Sequence, residues 1–105
     1  MNLFVYGSLK PGGWAHHLLQ DSVIAAIKAK TRGTLYNVHD DYPALKIDGQ
    51  GWVEGILYKV RDEIKDKLIA RLDRLEGYPA LFNRMEVPVV TVFDQAETAI
   101  VYYGV

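Results

Sequence analysis

The chain reads as an α+β fold built on a small barrel-like or strongly curved sheet, and three features of its pattern predict this. Short runs rich in Val, Ile, Tyr, Phe and Trp recur along its length, separated by clusters of Gly, Pro, Asn and Asp. Only one stretch, ending at Glu76, carries apolar residues at firm helical spacing. Strands able to pair antiparallel, interrupted once and late by a helix, suit a curved sheet with a helix packed on it.

Leu3 to Tyr6 is a short apolar and aromatic run that stops at Gly7-Ser8, the signature of a buried first strand. Lys10-Pro11-Gly12-Gly13 is a loop, and Trp14 to Gln20 is a candidate short helix. Val23 to Tyr36 predicts one long bent strand or two short ones, with Gly33 at the bend or bulge. Asn37 to Pro43 is polar loop, and Ala44 to Ile47 is a short strand closed by Asp48-Gly49-Gln50-Gly51, read as a hairpin turn. Trp52 to Val60 is the next strand, and Gly55 inside it implies close approach by another backbone. Asp62 is placed to cap the helix, and Glu63 puts a favourable charge in its first turn. Ile64, Leu68, Ile69, Leu72 and Leu75 share one helical face, while Lys65, Lys67, Arg71 and Arg74 occupy much of the rest. Gly77 is the stop signal. Arg84 to Phe93 and Thr98 to Tyr103 are the last two strands, turning at Asp94-Gln95, with Pro88 implying an edge or a bulge.

Composition narrows the function. The 105 residues suffice for one modest core, and a net charge of −1 without a basic run gives no reason to expect nucleic acid or an anionic membrane as partner. The absence of cysteine excludes disulfides, thiolate metal sites and a Cys nucleophile, and fits a cytoplasmic setting. No apolar run approaches the ~20 residues of a membrane helix, and the N-terminus lacks the basic segment of a signal peptide.

Two places carry candidate chemistry. Glu76 ends the amphipathic segment, where free helix carbonyls disfavour a carboxylate by ~0.3–1 kcal/mol and push its pKa upward, toward the range of a general acid or base. An exposed Glu on a frayed helix end has the same sequence, and the local pattern leaves both readings open. Tyr6-Gly7-Ser8-Leu9 is the second place. A buried strand ending in Gly-Ser presents successive N–H groups that suit a carboxylate or a developing oxyanion, although a plain turn reads the same way. Ser8 lacks the Gly-x-Ser-x-Gly elbow and a triad histidine, which argues against a nucleophile. The adjacent His16 and His17 diverge on a helix, and His39-Asp40-Asp41 has no completing ligand, so no metal site is expected. Pro11 and the glycine spacing exclude a P-loop.

Together the two segments resemble a known family. Phe4-Val5-Tyr6-Gly7-Ser8-Leu9-Lys10 is similar to the N-terminal signature of the γ-glutamylcyclotransferase-like superfamily. Leu72-Asp73-Arg74-Leu75-Glu76-Gly77-Tyr78-Pro79-Ala80-Leu81-Phe82-Asn83-Arg84 resembles the segment bearing its catalytic glutamate. The likeness is nearest to the γ-glutamylamine cyclotransferase and AIG2-like branch and spans nearly the whole chain, implying a single domain over residues 1–105. It implies a small mixed β-barrel with one main helix and a possible short second one outside. It implies Glu76 as the acid/base, with Tyr6, Gly7, Ser8 and Leu9 holding the α-carboxylate end of a small γ-glutamyl substrate. The implied reaction releases 5-oxoproline and an amine, with neither metal nor cofactor.

Phe82 stands where relatives often place Tyr; whether Tyr78, Phe82, Tyr102 or Tyr103 lines the pocket is not fixed by the sequence. Nor are the leaving amine and the oligomeric state. Two alternatives share these residues: a non-catalytic domain that binds a small carboxylate, and a different lyase or acyl transfer through the same glutamate.

Overall fold

The computed structural model describes residues 1–6, 22–38 and 42–104. Its elements are β1 (Asn2–Val5), β2 (Val23–Arg32), β3 (Thr34–Val38), β4 (Tyr42–Lys46), β5 (Trp52–Val60), a 3-10 turn (Asp62–Ile64), α1 (Lys65–Glu76), β6 (Phe82–Thr91) and β7 (Ala96–Gly104). The expected short helix at Trp14–Gln20 falls outside the described residues.

Five strands close into a barrel in the order β1-β5-β2-β6-β7. Every neighbouring pair is antiparallel except β1 and β7, which meet parallel where Leu3 faces Ile100. Alternation along the strands sends Phe4, Ala29, Val53, Leu57, Val87, Val89, Ala99 and Val101 inward to fill the barrel. Leu45 from β4, fully buried, joins that core from one end. The other parity, with Leu3, Val5, Tyr58, Phe82 and Tyr102, lies outside the barrel under the apolar face of α1. Leu68 and Leu72 are the buried centre of that face, each stabilising the contact by ~1.5–3 kcal/mol.

Gly55 sits on β5 against the end of β1. A Cβ there would collide with the Val5 carbonyl oxygen and lie 2.7 Å from Phe4 Cζ, so the close approach inferred from sequence is real. Gly33 separates β2 from β3 as expected. Its own Cβ position lies 2.7 Å from the Lys46 carbonyl oxygen.

Two local expectations are corrected, and one left open between two outcomes is decided. Asp48–Gly51 does not close a hairpin between β4 and β5: β4 pairs with β3 in a separate two-stranded sheet, and β5 pairs with β1 and β2. The β3–β4 arm is an insertion at the end of the β2–β5 ladder, and the Gly33 N–H donates to the Gln50 carbonyl (3.0 Å) at its base. Asp62 does not cap α1. The first residue of the 3-10 turn, it instead accepts from the Met1 ammonium at 2.8 Å, a charge-assisted bond that outcompetes a neutral cap. Pro88 marks the expected edge rather than the bulge, because the β6–β7 register runs unbroken from Phe82 to Val90. It stands where the ladder between β6 and β2 ends at Val89, and there its carbonyl accepts from the Thr31 hydroxyl (2.9 Å).

Candidate active site

Glu76 is the last residue of α1, and the chain leaves it through a Schellman motif. Gly77 adopts φ +66°, its N–H turns back to the Arg74 carbonyl, and the Tyr78 N–H donates to the Asp73 carbonyl at 2.9 Å. Those bonds satisfy two of the carbonyls whose negative ends would otherwise repel the side chain. The Glu76 pKa is nevertheless pushed up from 4.5 to about 7, and the cause is burial of the half-buried carboxylate. The expected direction holds, and its cause is desolvation rather than the helix end.

Tyr6 follows β1 immediately. Its hydroxyl donates to the Tyr102 carbonyl of β7 at 2.6 Å and accepts from the Leu45 N–H of β4 at 3.0 Å. One phenol therefore ties the end of the first strand to the last strand and to the inserted arm. Burial raises its pKa, the Leu45 N–H opposes the rise, and the charge of Glu76 adds to it. Glu76 also helps to raise the pKa of Tyr102, after burial and the Asp73 carboxylate. The two sequence candidates, 70 positions apart in the chain, are thus electrostatic neighbours. Gly7, Ser8 and Leu9 lie outside the described residues.

Residues that the sequence reading left unassigned complete the surroundings. Asp73, one turn before Glu76, accepts from Arg84 Nε (2.9 Å) and Nη2 (3.2 Å) and from the Tyr102 hydroxyl (2.6 Å). Arg84 chiefly holds the Asp73 carboxyl below its usual range. The Arg84 guanidinium also lies 4.4 Å over the Tyr78 ring. Tyr36 of β3 reaches this end of the barrel as well: it contributes to the raised Tyr6 pKa, and a Cβ at Gly104 would collide with its hydroxyl. A carboxylate in the last turn of a helix was the signal that singled out Glu76, and it applies equally to Asp73.

The aromatic candidates part company. Tyr102 is buried against Asp73, Phe82 is buried in the core beneath α1, Tyr78 is partly exposed on Arg84, and Tyr103 packs on the barrel core. A cleft of about 580 Å³ along β2, β5 and β6, between Lys28, Lys30, Glu54, Ile56 and Val92, includes neither Tyr6 nor Glu76. Among the described residues, no group of three His, Cys, Asp or Glu side chains is placed to hold a metal ion; His16, His17 and His39 lie outside them. No described helix is long and apolar enough to cross a membrane.

The family described as γ-glutamyl cyclotransferase, AIG2-like, matches residues 3–104, a span that contains both candidate segments. The chain belongs to this family. It is 35% identical over 94 residues to the γ-L-glutamyl-butirosin B γ-glutamyl cyclotransferase of Niallia circulans, covering 84% of this chain and 57% of that protein. It therefore spans little more than half of that relative's length. Against the γ-glutamylaminecyclotransferase of Homo sapiens the identity is 30% over 106 residues, covering 92% of this chain and 67% of the human one. The crystal structure of an AIG2-like protein from Mus musculus superposes with a TM-score of 0.78 at 24% identity, over 97% of this chain and 75% of that one, a likeness of fold. The barrel with its external helix is thus the family's fold, as the resemblance implied.

Proposed function

We propose that this protein is a γ-glutamyl cyclotransferase that acts on a small γ-glutamyl compound, a γ-glutamylamine being the leading class, and releases 5-oxoproline and the free amine. The observation that carries the reading is a half-buried Glu76, its pKa pushed up to about 7 by burial, whose charge is felt by Tyr6 at the end of β1, in a chain of this family. The activities named for the Niallia circulans and human relatives support it.

In this mechanism Glu76 takes a proton from the substrate's α-ammonium. The freed amine attacks the γ-carbonyl and closes a five-membered lactam, and protonated Glu76 returns the proton to the departing amine. A group titrating near neutral pH suits both transfers. The reaction joins two parts of one molecule, so holding the substrate folded supplies much of the acceleration. The loop formed by Tyr6, Gly7, Ser8 and Leu9 is assigned the α-carboxylate end and the oxyanion, through main-chain N–H groups. The proposed chemistry calls for no metal or cofactor.

The test is a panel of γ-glutamyl amines and γ-glutamyl dipeptides read as 5-oxoproline release. Turnover of at least one member is expected, with Gly7→Val abolishing it by filling the loop. Silence across the panel, or full activity in Gly7→Val, refutes the assignment.

A further inference from the structure

An ion pair between Asp73 and Arg84 stands one helical turn before Glu76. Asp73 and Glu76 are three residues apart on α1, which places them as neighbours along the helix surface. Both carboxylate oxygens of Asp73 are occupied, by the fork of Arg84 from β6 and by the hydroxyl of Tyr102 from β7. The chain of contacts continues through the peptide of Tyr102, whose carbonyl accepts from Tyr6. Asp73 thus connects both limbs of the candidate site: the helix end that bears Glu76, and the strand end that opens the substrate loop. Arg84 is itself fixed from a second side by the Tyr78 ring, two residues after Glu76.

Asp73 carries one negative charge a single turn from the proton-transfer group, and Arg84 cancels it at hydrogen-bond distance. The titratable phenols around Glu76 are those of Tyr6 and Tyr102, both raised by burial and therefore neutral at physiological pH. On its own helix Arg74 is exposed to solvent, which screens it. Removing either member of the pair leaves an uncancelled charge of one sign or the other beside Glu76.

We propose that Asp73, paired with Arg84 and Tyr102, is the positioning residue of this site: it fastens the last turn of α1, which bears Glu76, to β6 and β7 and keeps the charge beside that turn balanced. The proposal rests on the reading of Glu76 as the acid/base.

The test titrates the Glu76 carboxyl by carbon-13 NMR in the ligand-free protein, comparing wild type, Asp73→Asn, Arg84→Met and the double variant. Asp73→Asn leaves Arg84 uncancelled and is expected to lower the Glu76 midpoint by about half a pH unit. Arg84→Met leaves Asp73 uncancelled and is expected to raise it by about as much. The double variant returns toward wild type. Arg84→Lys keeps the charge and loses the fork, so its midpoint stays while kcat falls at unchanged KM. Should Asp73→Asn fail to fold, Arg84→Met and Arg84→Lys carry the same test. Midpoints that coincide in all variants, or that move the same way in both single variants, overturn the proposal and leave the pair a structural staple. Opposite shifts in a protein with no cyclotransferase turnover would uphold the charge coupling and reject the catalytic reading instead.

Discussion

Replacing Glu76 with Gln is expected to stabilise the fold at alkaline pH and to leave it unchanged in acid. In the folded protein the carboxyl pKa stands at about 7 against an ordinary value of 4.5. Between those two values the native state binds more proton than the unfolded chain, so stability falls as pH rises and levels off above 7. At about 1.4 kcal/mol per pH unit the full difference is ~3.4 kcal/mol, and solvent reaching a half-buried group reduces it to on the order of 1–2 kcal/mol. Glutamine keeps the shape and has no charge to bury. Urea unfolding at pH 5 and pH 8.5 reads the effect: the wild type loses about 1–2 kcal/mol across that interval relative to Glu76→Gln. A wild type and variant that track each other across the interval would show that burial does not raise the carboxyl pKa, and the main physical argument for Glu76 as an acid/base would go with it.

Other perturbations test the scaffold around the site. Tyr6→Phe removes the donor to the Tyr102 carbonyl and the acceptor for the Leu45 N–H, and is expected to cost ~1–3 kcal/mol in urea unfolding; a neutral effect would show that this bridge is replaced by water. Gly55→Ala drives a methyl group into the Val5 carbonyl oxygen and the Phe4 ring, both fixed in the barrel, and is expected to lower stability by at least ~2 kcal/mol in thermal unfolding; wild-type stability would contradict the close approach of β1 to β5. Gly77→Ala places a side chain at φ +66° and 3.0 Å from Leu81 Cδ1, with an expected loss of ~1 kcal/mol in the same assay.

What the sequence disclosed follows the range of the forces involved. The strand over Trp52–Val60, the break at Gly33 and the helix ending at Gly77 were legible because alternation, glycine conformation and helical spacing are local properties. Gly55 was legible for the same reason: a missing side chain in an apolar strand points to a close neighbour. The β3–β4 arm was not, since Asp48–Gly51 has turn composition whichever strands it joins, and pairing is decided by the whole sheet. Asp62 misled because the competing partner, the Met1 ammonium, arrives from 61 positions away in the sequence. In the site, Glu76 and Tyr6 stood out through local context. Their proximity, and the Asp73–Arg84–Tyr102 cluster assembled from α1, β6 and β7, depend on barrel closure, which no local pattern encodes.

The role proposed for Glu76 is to move the proton in a lactam-forming reaction. It is tested most directly by 5-oxoproline release from the best γ-glutamyl compound, wild type against Glu76→Gln, with the variant's fold verified by its unfolding curve. The account predicts turnover in the wild type and a loss of at least about a hundredfold in the variant, the scale of a removed general base. Equal rates in the two proteins would contradict it.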